Sequence, residues 1–348
     1  MTEAIVSPIA ELLLEVMPKT VGNMKHLRYL DLSLNYEIKK LPNSICKLQK
    51  LETLDLEECS ELKKIPRGLS YLISLRRLIL STKQKRLPEN VIGCLNSLRA
   101  LTFSNCKNLE YLCDDIGRLK ALRTLVINEC PSLLLLPCNI IYTSSLWNLT
   151  FMDCEKLDLR IEMEKNDSHE DLNNTQIQPR TLIIRGLLNL KELPQWLLHA
   201  NTLESLPCVP TSSALQDLES LKALYIFGCP KLTCLPEDMH NLIAPIELRI
   251  DGCPVLSERC KKDTGEDWPK IAHIPLIWLD DEEIKSTMLD CSNIIPLLSL
   301  PNRFGGTGIM RFYKGIASSK SKNHDLLYWK KYNIIFHTIK EFIFSLSG

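Results

Sequence analysis

Apolar residues recur along most of this chain in one fixed spacing. Leu51, Leu54 and Leu56 stand at offsets 0, +3 and +5, Cys59 at +8 and Leu62 at +11. Ile65-Pro66, Leu69 and Leu72 continue the pattern, and Leu75 begins it again. Starts at Leu27, Leu51, Leu75, Leu98, Leu122 and Leu146 are 23 or 24 residues apart. Weaker starts follow at Pro179 and Leu203, then better ones at Leu221 and Pro245. Ten units are expected, with the Leu203 unit degenerate.

The spacing predicts one turn of a coil per unit. A short strand points offsets 0, +3 and +5 inward, and the far side of the coil points +11, +14, +18 and +21 inward. One coil cannot bury these side chains, but stacked coils share a continuous core. Each buried Leu or Ile contributes roughly 1.5–3 kcal/mol relative to exposure. Successive strands pair in parallel. Leu-Pro or Ile-Pro pairs at 41–42, 65–66, 87–88, 136–137, 193–194 and 235–236 open the far side with an extended residue. Ile45/Leu48, Leu69/Leu72, Ile116/Leu119 and Met239/Leu242 are three apart, which suits a short helix or 3₁₀ turn.

Offset +8 turns the chain out of the strand. Asn35 holds it once, and Cys59, Cys106, Cys130, Cys154, Cys229 and Cys253 hold it six times. An Asn there would bond otherwise orphaned backbone groups, and a thiol buries easily but donates weakly. Lys83 and Leu187 depart from the rule, so looser turns are expected at those two places.

Four stretches interrupt or flank the array. Residues 1–20 are read as an N-terminal helical segment, with Ile5, Ile9, Leu12, Leu13 and Val16 on one face. The solenoid then runs over 21–253. Residues 158–178, with the polar run Glu164–Gln176, are read as a surface loop. Residues 254–280 are read as a cap in which Trp268, Ile271, Ile274 and Ile277 cover the last coil. Residues 281–348 form a non-repeat tail read as lacking a defined fold. Its part 302–348 is basic, and Leu326–Phe344 could form a surface-binding helix, a membrane role disfavoured against an appended tail.

Composition narrows the function. The chain of 348 residues has 42 Lys+Arg and 42 Asp+Glu, so it lacks the basic excess of a nucleic-acid-binding domain. Fourteen cysteines include no C-x-x-C, and six lie at the +8 packing position, so reduced thiols, no zinc and a cytoplasmic location are expected. No signal peptide or run of ~18 apolar residues is visible. N-x-S/T triplets at Asn148, Asn166 and Asn173 are read as chance. No phosphate loop exists, and Gly305–Gly308 lacks the following Lys. No nucleophile elbow, H-E-x-x-H or paired carboxylate stands out, so neither an enzyme, a cofactor nor a small-molecule substrate is expected.

What remains is the outward face of the strands. Offset +1 reads Arg28, Glu52, Arg76, Arg99, Arg123, Trp147, Arg180 and Lys222, six of the eight basic. Glu57, Glu58, Glu129 and Asp153 lie at +6 and +7, and Tyr225 and Phe227 at +4 and +6. Arg and aromatic residues are enriched at protein interfaces. The expected partner-binding residues are therefore Arg28, Arg76, Arg99, Arg123, Trp147, Arg180, Lys222, Tyr225 and Phe227. The plainer alternative is that the arginines only solvate the strands and pair with neighbouring acids.

The motif L-x-x-L-x-L-x-x-N/C-x-L is that of the leucine-rich repeat, so the fold class is an α/β leucine-rich-repeat solenoid, with a parallel sheet on its concave face and short helices or turns on its convex face. His26–Ser33, Lys39–Pro66 and Gly117–Pro137 resemble the repeats of plant intracellular nucleotide-binding leucine-rich-repeat disease resistance proteins of the coiled-coil type. Leu248–Pro275 resembles the end of their repeat domain, and the first residues resemble the start of their coiled-coil domain. The resemblance covers about residues 20–280 and implies recognition of a pathogen effector, a guarded host protein or a full-length resistance protein in plant innate immunity. The nucleotide-binding region of that family has no counterpart between Met17 and Val21, so neither nucleotide binding nor its ATPase switch is carried over. An open, apolar first coil prone to association is the expected consequence. An intracellular leucine-rich-repeat signalling scaffold is the alternative, and would favour more regular units with Asn at +8.

Overall fold

The protein is described by a computed structural model over residues 4–5, 19–143, 145–160, 179–193, 221–241 and 247–286. Twelve described strands form one sheet in sequence order. They are β1 (Ala4–Ile5), β2 (Tyr29–Asp31), β3 (Thr53–Leu56), β4 (Arg77–Leu80), β5 (Ala100–Ser104) and β6 (Thr124–Asn128). Then follow β7 (Asn148–Met152), β8 (Thr181–Arg185), β9 (Ala223–Phe227), β10 (Glu247–Asp251), β11 (Leu276–Leu279) and β12 (Glu282–Ser286). Every neighbouring pair is parallel except β11 with β12. The register is constant, so Leu30, Leu54, Leu78, Leu101, Leu125, Leu149, Leu182, Leu224, Leu248 and Ile277 stand in one column. All ten are at most 2% exposed. This column and its neighbours make the single core that the spacing required, and the fold is the leucine-rich-repeat solenoid.

The far side is built from short 3₁₀ segments at Asn43–Lys47, Arg67–Tyr71, Asp114–Arg118, Cys138–Tyr142 and Glu237–Asn241. Pro42, Pro66 and Pro137 precede the first, second and fourth in extended conformation, a bend that suits the φ fixed by the pyrrolidine ring.

The turn out of each strand rests on two positions. Offset +7 takes a left-handed backbone at Leu34, Glu58, Asn105, Glu129, Asp153, Gly186, Gly228, Gly252 and Asp281. Offset +8 then bonds the carbonyls left over. Asn35 Nδ2 donates to Leu32 O at 2.9 Å and Ser33 O at 3.0 Å. The thiols do the same work: Cys59 Sγ donates to Leu32 O at 3.1 Å, and Cys154 Sγ to Met152 O at 3.2 Å. Thus a buried thiol replaces the amide rather than merely filling space. The turns at Lys83 and Leu187 are not loose. At the first, Thr82 Oγ1 donates to Leu62 O at 3.0 Å and Ser81 Oγ to Ser104 O at 2.6 Å, so hydroxyls replace the left-handed residue. At the second, Gly186 supplies the left-handed backbone, and Leu187 is buried.

Several boundaries differ from the sequence reading. The helix expected over 1–20 is a strand at Ala4–Ile5 and a 3₁₀ segment from Lys19; the rest of it lies outside the described residues. Pairing explains this, since β1 lies in register on β2 and supplies partners to an otherwise bare edge. In the first coil Val21, Leu27, Leu30, Leu32, Ile38 and Leu41 are buried, while Met24, Leu34 and Tyr36 are exposed, so part of the apolar surface expected at this end is present. β8 pairs directly with β9, Thr181 on Ala223, so nothing from the expected Leu203 unit stands between them in the sheet, and residues 203–220 lie outside the described residues. The surface loop expected at 158–178 begins with Asp158 bridged to Leu135, and residues 161–178 lie outside the described residues, as does the tail from 287 on.

The cap is an extra coil rather than an irregular lid. Helices α1 (Pro254–Arg259) and α2 (Trp268–Ile271) lead into β11, which continues the sheet. Ile271, Ile274 and Ile277 are fully buried, and Trp268 packs against the core. Asp267, fully buried, ties this coil to the previous one. Its Oδ2 accepts from Leu235 N at 2.9 Å, and its Oδ1 from Arg259 Nη2 at 3.0 Å and Lys270 Nζ at 2.9 Å. Beyond it, β12 turns back antiparallel, with Glu282, Glu283 and Lys285 on the edge strand, a charged edge that discourages further pairing.

Candidate protein-binding face

The sheet places the +1 residues side by side. The peptide N–H of each bonds the carbonyl of the one before: Glu52 to Arg28 at 2.7 Å, Arg76 to Glu52, Arg99 to Arg76 and Arg123 to Arg99 at 2.8 Å. The run continues through Trp147, Arg180 and Lys222. Parallel strands are ≈ 4.8 Å apart, so the column is a continuous row of long side chains.

Pairing divides that row. Glu52 accepts from Arg28 at 2.9 Å and pairs with Arg76 at 3.3 Å, so the two N-terminal arginines are partly neutralised. Arg99 and Lys222 make no ion pair among the described residues. Arg123 and Arg180 lie over the Trp147 ring at 4.7 and 4.3 Å. The indole is therefore held between two guanidinium groups, each attracted by the negative face of the ring.

The C-terminal end of the same face is aromatic. Tyr225 and Phe227 are parallel, with centroids 6.4 Å apart, and Tyr225 Oη donates to Glu247 Oε2 at 2.8 Å. Arg249 lies 5.8 Å from the Phe227 centroid and 5.7 Å from that of Trp278, and donates to Asp281 Oδ1 at 2.7 Å. Sequence reasoning missed Glu247, Arg249 and Trp278. The signal was present: Ile274, Ile277 and Leu279 repeat offsets 0, +3 and +5, which puts Trp278 at +4 beside Arg249.

The opposite margin is acidic. Asn105 Nδ2 donates to Glu58 Oε2 at 2.8 Å, and Asp153 lies 3.9 Å from Arg185. Burial, then the charges of Glu58, Asp153 and Glu57, pushes the Glu129 carboxyl up. At the N-terminal end, burial and the carboxylates of Asp31 and Asp55 push Tyr29 up to about 12. The face thus carries a basic-aromatic row at the start of its strands and an acidic row at their ends.

Residues 12–253 match the family described as a leucine-rich repeat region. The chain belongs to the leucine-rich-repeat family. Such arrays typically serve as interaction modules rather than enzymes. Over 51 residues this leucine-rich-repeat chain is 45% identical to the putative disease resistance protein RGA4 of Solanum bulbocastanum, a match that spans 15% of this chain and 5% of that protein. Among solved structures, the leucine-rich repeat domain of the type III effector XopL is 20% identical over 69% of this chain and 72% of that one, with a TM-score of 0.49. The plant peptide hormone receptor RGFR1, solved in complex with RGF2, is 21% identical over 69% of this chain and 40% of that one, with a TM-score of 0.43.

Proposed function

We propose that this chain is a non-enzymatic recognition module of plant innate immunity, working in the cytoplasm, which binds a pathogen effector, a host protein or a full-length resistance protein through the strand face. One observation carries the reading: Trp147 is already clamped between Arg123 and Arg180 in the middle of that face. Trp and Arg dominate binding hot spots, and a side chain ordered before binding loses less entropy on docking. Arg76, Arg99, Arg123, Arg180 and Lys222 would receive acidic groups of the partner, while Tyr225, Phe227 and Trp278 would receive apolar ones. The 51-residue match to a putative disease resistance protein supports the immune setting.

The test begins with proximity labelling of the expressed chain in infected leaf tissue, followed by calorimetry with each captured protein. Reversal of Arg76, Arg99 and Arg123 to Glu should weaken a true partner at least 100-fold, since a single hot spot is worth ~2 kcal/mol or more. Unchanged affinity for a partner that binds the native chain would sink the proposal.

A further inference from the structure

A second charged surface lies away from the strand face. Just before the first three far-side bends stand three dibasic pairs, Lys39-Lys40, Lys63-Lys64 and Lys85-Arg86, each followed by Leu-Pro or Ile-Pro. The fold stacks the first two directly, and the third stands in the next coil. Lys63 N donates to Lys39 O at 3.0 Å, and Lys40 is bridged in parallel to Lys64. Arg86 is bridged to Tyr111, and Tyr111 in turn to Leu135 and Leu135 to Asp158, where the basic run has ended. Two acids answer it: Glu61 pairs with Lys83, and Glu110 with Lys85 at 2.8 Å. Lys40, Lys63 and Lys64 are exposed and make no ion pair among the described residues. A chain with no net charge therefore concentrates cations on one side of three consecutive coils.

We propose that this second ladder is a docking surface for a bilayer rich in anionic headgroups. The choice of cation points that way. Lysine is depleted at protein–protein interfaces, where arginine is favoured, and five of these six residues are lysine. Clusters of four to eight basic residues suit the diffuse negative potential of an anionic leaflet. Nucleic acid fits less well, since single strands need open aromatic platforms, and the ring of Tyr111 is covered by Arg86 at 4.0 Å. Leu34 and Tyr36, 63% and 52% exposed, precede the first pair in the same coil. An exposed aromatic beside lysines is the pattern found at headgroup level.

Vesicle flotation tests the proposal independently of the strand-face reading. The full chain is mixed with phosphatidylcholine vesicles with and without phosphatidylserine. It should float with the anionic vesicles alone, and release as salt is raised. The triple variant Lys40→Gln, Lys63→Gln, Lys64→Gln should lose on the order of a hundredfold in partitioning, at about fivefold per lysine. A control triple of equal charge, Lys107→Gln, Lys120→Gln, Lys156→Gln, should lose far less, and unchanged circular dichroism would show both variants folded. No enrichment on anionic vesicles overturns the proposal, as does an equal loss in the control. Retention of the native chain on single-stranded RNA without vesicle binding also overturns it, and assigns the ladder to nucleic acid.

Discussion

Asp267 shows how one residue decides whether the C-terminal coil stays attached. Burial alone would raise its pKa, but the Arg259 guanidinium, the Leu235 N–H and the Lys270 ammonium outweigh burial and hold it below the usual 3.8. A carboxyl whose folded pKa is depressed contributes stability above the unfolded value and loses it as pH falls through the folded one. Asp267→Asn removes the charge and leaves Lys270, 12% exposed, with only the solvent-exposed carboxylate of Glu237 as its anion. Breaking a buried pair from one side costs about 3 kcal/mol. Urea titration should show that deficit in full above pH 3.8, and a narrowing gap only below it. A gap that stayed constant down to the acid limit would mean that the carboxylate charge plays no part. The residue could not have been picked from sequence, because a lone Asp between Glu266 and Trp268 carries no spacing signal, and its partners come from three separate segments.

At the scale of the element, the strand face sets rows of like charge side by side. Register makes this unavoidable, since each offset forms one column across the sheet. In the acidic row partial burial, and after it the charges of Glu58 and Asp153, raise the Glu129 carboxyl above 4.5. A raised acid favours the folded state while protonated and costs stability once ionised. Glu129→Gln should therefore stabilise the protein at neutral pH, by less than ~1 kcal/mol for a group only partly screened from solvent, and the gain should fade as pH falls into the range where Glu129 is protonated. Thermal melts of both forms at neutral and acid pH check the sign. The columns themselves were legible in the sequence, because a period of 24 residues and a strand alternation of two leave no freedom in which residues face out. Arg28, Arg76, Arg99 and Arg123 stand where the spacing puts them. What the spacing did not carry was pairing: Glu52 engages two of those arginines, and Trp147 two others, Arg123 and Arg180. Side-chain reach across the sheet decides that, and one-dimensional periodicity does not encode it.

For the solenoid as a molecule, stability is a sum of coil terms and contacts between neighbours. The described coils share one core in which residues distant in sequence never meet except through the coils between them. Damage at one end should therefore stay there. Ile274 is fully buried in the last coil and bonds Ile271 O through its N–H at 2.9 Å. Ile274→Ala should cost about 2–5 kcal/mol, the range for emptying such a site. A globular domain that unfolds as one unit would show the loss everywhere, as faster hydrogen exchange in every strand. In this array the loss should fall on β9, β10 and β11, which stack directly on the altered coil, while β3, β4 and β5 keep their protection. Hydrogen exchange followed by mass spectrometry separates the two outcomes. Uniform acceleration from β2 to β11 would mean that the coils unfold together, and that each strand's protection reports the whole array rather than its neighbours.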